Sequence, residues 1–251
     1  MRLMKALALA IALALPPALL SPAARASEAA MPTPPLPDDG PQILEMLFHG
    51  LGPNGPLVRQ GASKYLRPIH VSVGGNDHAD HMETIRTAFR KFGGAARHPM
   101  DFSQRQEATN YWIVIAKDMG RYLRTEALGF VEFAVGGSVA QGRQLIDAFE
   151  QRDCAFVNRY NAANPSEIVA SFVFITSPPR HQPMAACIDE MMLRSMGVSG
   201  VSPTITNSIL SSTRRGVFAT GKDLLALRIL YHAAIKPGAS QDEVRAGVSP
   251  A

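Results

Sequence analysis

Three side chains in one short stretch have types and spacing that could do chemistry together: Asp189, Glu190 and Arg194. Adjacent carboxylates are candidates for acid–base work. On a helix, however, neighbouring side chains point about 100° apart, so Asp189 and Glu190 do not face one substrate. They read instead as surface carboxylates near a helix start, where negative charge complements the dipole. Glu190 and Arg194 are four apart, the spacing of a helix ion pair worth a few tenths of a kcal/mol when exposed. Set in a cleft, Glu190 and Arg194, with Asp189 beside them, become candidate binding residues for a polar ligand.

A second cluster is Asp77-His78-Ala79-Asp80-His81. Two imidazoles three apart on a helix share a face, so a divalent metal is one reading. A polar helix N-terminus is the other. No third ligand can be placed, and the expectation is no metal and no cofactor. His98, His181 and His232 lie too far apart in sequence to be grouped. Gly74-Gly75 and Gly136-Gly137 lack the spacing of nucleotide-binding loops and read as turns. No serine stands in G-x-S-x-G, and neither cysteine has a histidine spaced as in a nucleophile site. Met191, Met192 and Met196 read as core filler.

The N-terminus reads as a secretory signal. Arg2 and Lys5 precede an apolar run over 6–15, Pro16-Pro17 break it, and Ala24-Arg25-Ala26 supplies the small residues of a cleavage site. The run is short of the roughly 20 residues needed to span hydrocarbon. Signal peptide 1–26 is therefore expected to be removed, placing the protein in the periplasm or outside the cell with no integral membrane segment. Removal takes away Arg2, Lys5 and Arg25, leaving 22 basic against 21 acidic residues, a net charge of about +1 rather than the +4 of the whole chain. That balance argues against nucleic acid as a partner. Both cysteines, Cys154 and Cys187, lie in the exported part. An even count in an oxidising compartment favours a disulfide, worth roughly 4 kcal/mol in the chain-entropy model, over two buried thiols.

These residues need positioning elements. Residues 27–40 are proline-rich without apolar periodicity and read as a linker. A short helix is expected over 42–49, and a glycine- and proline-punctuated loop over 50–61. Strands are expected over 67–73, 110–117, 130–135, 154–160 and 167–176, the last two as a hairpin. The run 110–117 is apolar on both faces and reads as a central strand. Helices are expected over 80–92, capped by Gly93-Gly94, and over 138–149. Another should span 181–197, stopped at Gly197, and another 220–232, with Thr220 as N-cap. Ser240-Gln-Asp-Glu243 is a capping-box pattern opening a last helix. Residues 198–217 read as irregular.

In this order the stretch 187–231 resembles the metzincin clan of zinc proteases, whose helix carries H-E-x-x-H-x-x-G-x-x-H. The resemblance matches the glycine to Gly197, a Ser-Ile-Met turn to Ser208-Ile209-Leu210, and a final helix, opening near an Asp and closing near a Tyr, to 223–231. The metal positions are filled differently: Glu190 and Arg194 at the first two histidines, Met191 at the catalytic glutamate, Gly200 at the third histidine. Counting from Asp189-Glu190 leaves Leu193 at the second ligand. Zinc catalysis needs three lone-pair donors and a carboxylate, and Arg194 is a permanent cation, so the ligand rules argue against a conventional zinc peptidase. The chain more closely resembles a family of exported bacterial proteins, the domain of unknown function numbered twenty-nine twenty-seven. Cys187, Asp189-Glu190, Met196-Gly197, Asn207-Ser208-Ile209 and Leu230-Tyr231 through Lys236-Pro237-Gly238 carry that resemblance. The family often has Gln where Arg194 stands and Met where Ala239 stands. It implies no established activity.

The reading is an α+β, zincin-like domain over 41–251. A mixed sheet packed by two long helices should occupy 41–197, and a smaller, mostly helical subdomain 198–251. The expected function is non-catalytic binding of a peptide or envelope protein. A metal-dependent hydrolase with a non-standard site drawn from Glu190, His78, His81 or His181 is the alternative.

Overall fold

The computed structural model describes residues 40–52, 55–58, 61–102, 108–149, 152–200, 204–211 and 218–248. The expected signal peptide and all but the last residue of the expected linker lie outside them. That last residue, Gly40, opens helix α1 (Gly40–Phe48) instead. The expected loop after it contains a small antiparallel pair, β1 (His49–Gly52) with β2 (Gly55–Val58). Then come β3 (Lys64–Tyr65), β4 (Ile69–Gly74), α2 (Met82–Ala96), β5 (Met100–Phe102) and β6 (Tyr111–Lys117). Three short helices follow, α3 (Met119–Thr125), α4 (Leu128–Ala134) and α5 (Val139–Ala148). The hairpin β7 (Cys154–Asn161) and β8 (Asn164–Ser177) leads to α6 (Met184–Ser195), α7 (Gly221–Leu230) and α8 (Gln241–Val248).

The main sheet runs β3-β8-β6-β4-β5, with β7 against the other side of β8. It is mixed, as expected: β3–β8, β8–β6, β6–β4 and β4–β5 are parallel, and only β7 is antiparallel. The central strand is β6, as its two-sided apolar run predicts. Alternation sorts its residues onto two faces. Tyr111, Ile113 and Ile115 join a core with α1, α2, α6 and α7, while Val114 and Ala116 join a second core with α3, α4 and α5. Along β8, Val173 and Ile175 face the first core, and Phe172 and Phe174 the second. Helices therefore cover both faces of a parallel-dominated sheet. The chain leaves β4 for one face through α2 and leaves β6 for the other through α3–α5.

Two expectations are corrected. Residues 130–135 form helix α4, not a strand. A short apolar run fits both periods, and here Val131 and Ala134, three apart, are the buried pair. The second correction concerns α2, which continues through Gly93 and Gly94 to Ala96. A Cβ on Gly93 would come within 3.2 Å of Met100 Sδ, so this glycine lets β5 approach the helix rather than ending it. Helix α3 has no counterpart among the expected elements. Among the described residues, no helix is long and apolar enough to cross a membrane.

Candidate functional site

Helix α6 carries the candidate residues, and its placement is over-determined. At its start, the Cys154–Cys187 disulfide ties it to the first residue of β7. Just upstream, Asp153 accepts from His181 N at 2.5 Å, His181 Nδ1 at 3.2 Å and Arg180 Nε at 3.4 Å. Burial raises the Asp153 carboxyl, but the hydrogen bonds from Arg180 and His181 outweigh it and hold the group below its ordinary range.

At the other end, Ser195 meets the buried Tyr111 hydroxyl at 2.6 Å, and its carbonyl accepts from Asn158 Nδ2 at 3.1 Å. Asn158 Oδ1 accepts from Ser171 Oγ, which accepts from Tyr65. One polar network thus joins α6 to β3, β6, β7 and β8. Burial pushes the Tyr65 and Tyr111 hydroxyls well up, so they stay neutral donors. The helix stops where expected. Gly197 has φ +107°, with Val198 N bonded to Leu193 O and Gly197 N to Arg194 O, the pattern of a Schellman-type end. A Cβ on Gly197 would lie 1.9 Å from Ser63 O.

On this helix Glu190 and Arg194 meet as their spacing predicts, Arg194 Nε to Glu190 Oε1 at 2.8 Å. The pair is mostly withdrawn from solvent, its side chains 20% and 14% exposed. Arg194 Nη1 donates to Ser199 O at 3.1 Å. Gln182 reaches both Glu190 Oε2, at 3.4 Å, and Cys154 Sγ, at 2.9 Å, so the pair sits on the side of α6 near the start of β7. Among the described residues β7 pairs only with β8 and forms a sheet edge. The hydroxyl of Ser199 is buried without a hydrogen-bond partner among the described residues.

Asp189 is not part of this group. It is buried, takes a short ion pair from Lys91 on α2 and accepts from Ala219 N at 3.2 Å, just before α7. It sits mid-helix rather than near a start, and serves as a tie between three segments rather than a surface carboxylate. Lys91 was not singled out by the sequence, because a lone lysine on an exposed helix face carries no spacing signal. Met191, Met192 and Met196 are core, as expected.

The histidines do not converge. His78 Nδ1 meets Gly75 O at 2.7 Å, whereas His81 Nε2 meets Ser177 Oγ at 3.1 Å and lies 3.7 Å from Asp77. The Asp77 carboxyl is held low, first by Ser177, then by Lys117 and His81. No group of three or more His, Cys, Asp or Glu side chains suited to a metal occurs among the described residues.

The turn 208–210 is built on Asp223, fully buried at the opening of α7. Its carboxylate accepts from Ser208 Oγ at 2.5 Å, Ile209 N at 3.2 Å and Thr220 N at 2.7 Å. At the far end of α7, Tyr231 Oη donates to Met196 O and accepts from Tyr65 N, each at 3.2 Å. The Asp that opens this helix thus holds the turn 208–210, and the Tyr that closes it ties the end of α6 to β3.

Together these features define a class of parallel-dominated α/β domain. It is stapled between an edge strand and a central helix, and carries a shielded ion pair where the two meet. The chain belongs to the family described as protein of unknown function (DUF2927), whose model matches residues 54–249. No curated protein and no solved structure matches it.

Proposed function

We propose that the protein is an exported, periplasmic, non-catalytic domain of zincin-like arrangement that binds an extended peptide of an envelope partner. The observation that carries this reading is the Glu190–Arg194 pair locked onto Ser199 O beside the open edge of β7. Helix α6, the turn 208–210 and α7 follow one another in the order that the metzincin resemblance over 187–231 leads one to expect. Positions 190, 194 and 200, which would converge on zinc there, hold a carboxylate, a guanidinium and a glycine whose N–H bonds Met46 O. Arg194 supplies internally the charge that a metal would bring, and Glu190 is neutralised by it. What such a scaffold keeps is a strand that, among the described residues, pairs on one side only, an edge that accepts an extended chain by strand addition.

The test is selection of a displayed random-peptide library on the protein, followed by amide hydrogen exchange with the selected peptide bound. Slowed exchange within 154–160 is the expected result. Failure to enrich any peptide, or protection elsewhere only, overturns the reading. Elemental analysis of protein purified without chelators or a histidine tag should find far less than one transition metal per chain. A stoichiometric metal would instead favour the hydrolase alternative.

A further inference from the structure

A second site lies on the opposite face of the sheet, where the crossovers from β4 and β6 diverge. Open α/β sheets bind ligands at such switch points, outside the carboxyl ends of their strands. Here the chain leaves a groove of about 410 Å³ over the end of β4, walled by α3 and α4. Ser72 and Gly74 form its floor, Trp112, Tyr122 and Phe130 its aromatic wall, and Glu126 its rim. A Cβ added to Gly74 would meet nothing within 4 Å, so the floor is bare backbone under open space.

The indole of Trp112 is the centre of this arrangement. Its cross-strand neighbours are Phe172 on one side and Ser72 on the other. Phe172 stacks on one face of the ring, parallel at 4.6 Å. Serine is too small to cover the second face, and Trp112 remains half-buried. Phe130 and Phe133 meet the indole at steep angles, 69° and 87°, and fix its plane. The groove thus offers an immobilised π face, two further aromatic rings and one carboxylate. No cationic side chain among the described residues lines it, and Glu126 has no ion-pair partner among them.

A π face attracts cations through its quadrupole, and a cage of such faces is the usual receptor for methylated ammonium groups, which carry charge but no N–H. Glu126 adds the opposite charge at the rim. We propose that this groove binds a small quaternary ammonium ligand, its methylated cation against Trp112 and its charge met by Glu126. This site is independent of the peptide edge at β7.

Trp112 is the only tryptophan in the chain, so intrinsic fluorescence reports on this site alone. The experiment titrates the purified protein with choline, with tetramethylammonium, and with dimethylbutanol, the neutral carbon isostere of choline. Both cations should give a saturable change in emission, and the neutral isostere should bind about tenfold more weakly, the worth of a desolvated cation–π contact. Glu126→Gln, on the surface and outside the core, should weaken the cations several-fold. Gly74→Val should fill the groove and abolish the signal change, with an unchanged circular dichroism spectrum showing that the variant folds. The proposal is overturned if neither cation saturates, if the isostere binds as well as choline, or if Glu126→Gln leaves the cation titration unmoved.

Discussion

At the residue scale, the shielded pair Glu190–Arg194 and the cap Gly197 are the points where one substitution tells most. Removing one partner of a shielded pair leaves an uncompensated charge, whereas removing both does not. In a double-mutant cycle with Glu190→Gln and Arg194→Met, each single change should cost about 1–2 kcal/mol and the double change less than their sum. Additive costs in urea unfolding would show that the two side chains do not hold each other. Gly197→Ala sets a Cβ against the Ser63 carbonyl at a backbone angle that L residues rarely adopt. It should cost about 4 kcal/mol, at the upper end for single substitutions. A loss below about 1 kcal/mol would mean that the 63–64 segment yields easily. The ion pair was legible in the sequence because spacing by four is local information. The burial of Asp189 was not, because its partner Lys91 lies 98 residues away and nothing in either neighbourhood announces the other.

At the element scale, α6 is held to the β7 edge by a covalent and an ionic tie. The Cys154–Cys187 bridge closes a loop of sequence separation 33, and replacing both cysteines with alanine should lower stability by roughly 3–4 kcal/mol in the chain-entropy model. An unchanged unfolding midpoint would make the bridge dispensable to the fold. Asp153 adds a pH dependence of definite sign. Its folded-state affinity for protons is lowered, so it contributes stability above its ordinary unfolded value near 4. That contribution is lost as pH falls through 4 towards its lower folded value. Asp153→Asn should flatten acid unfolding in this window, and an identical acid limb would remove Asp153 from the account. The hairpin β7–β8 and the helices α2, α5, α6, α7 and α8 were readable from period and caps. The identity of 130–135 was not, since a helix and a strand satisfy the same six residues and only the packing of Val131 and Ala134 into the second core decides between them.

At the scale of the whole molecule, the two cores and the exit of the chain to both faces create one costly feature. Lys64, on the short strand β3, is buried beside the Tyr231 ring with, among the described residues, only the His232 carbonyl, at 3.3 Å, as hydrogen-bond acceptor. Burial pulls it down to about 8. Between that value and the ordinary 10.5 the unfolded chain binds the extra proton, so stability should rise with pH across this range. The rise should vanish in Lys64→Met, as followed by melting temperature between pH 8 and 10. A flat profile in the parent protein would mean that the ammonium is solvated.

By itself the sequence determined what depends on near neighbours: export-like N-terminal patterning, the capped helices, the central strand, the Glu190–Arg194 spacing and the family. Tertiary structure alone decided which residues share a site. It parted Asp189 from Glu190, sent His78 and His81 to different partners, and gathered Trp112, Tyr122 and Phe130 around bare glycine backbone. The physical reason is that helix and strand periods are written over a few residues. The facing of one strand's side chains against another's depends on strand order and register, which only the packed sheet sets.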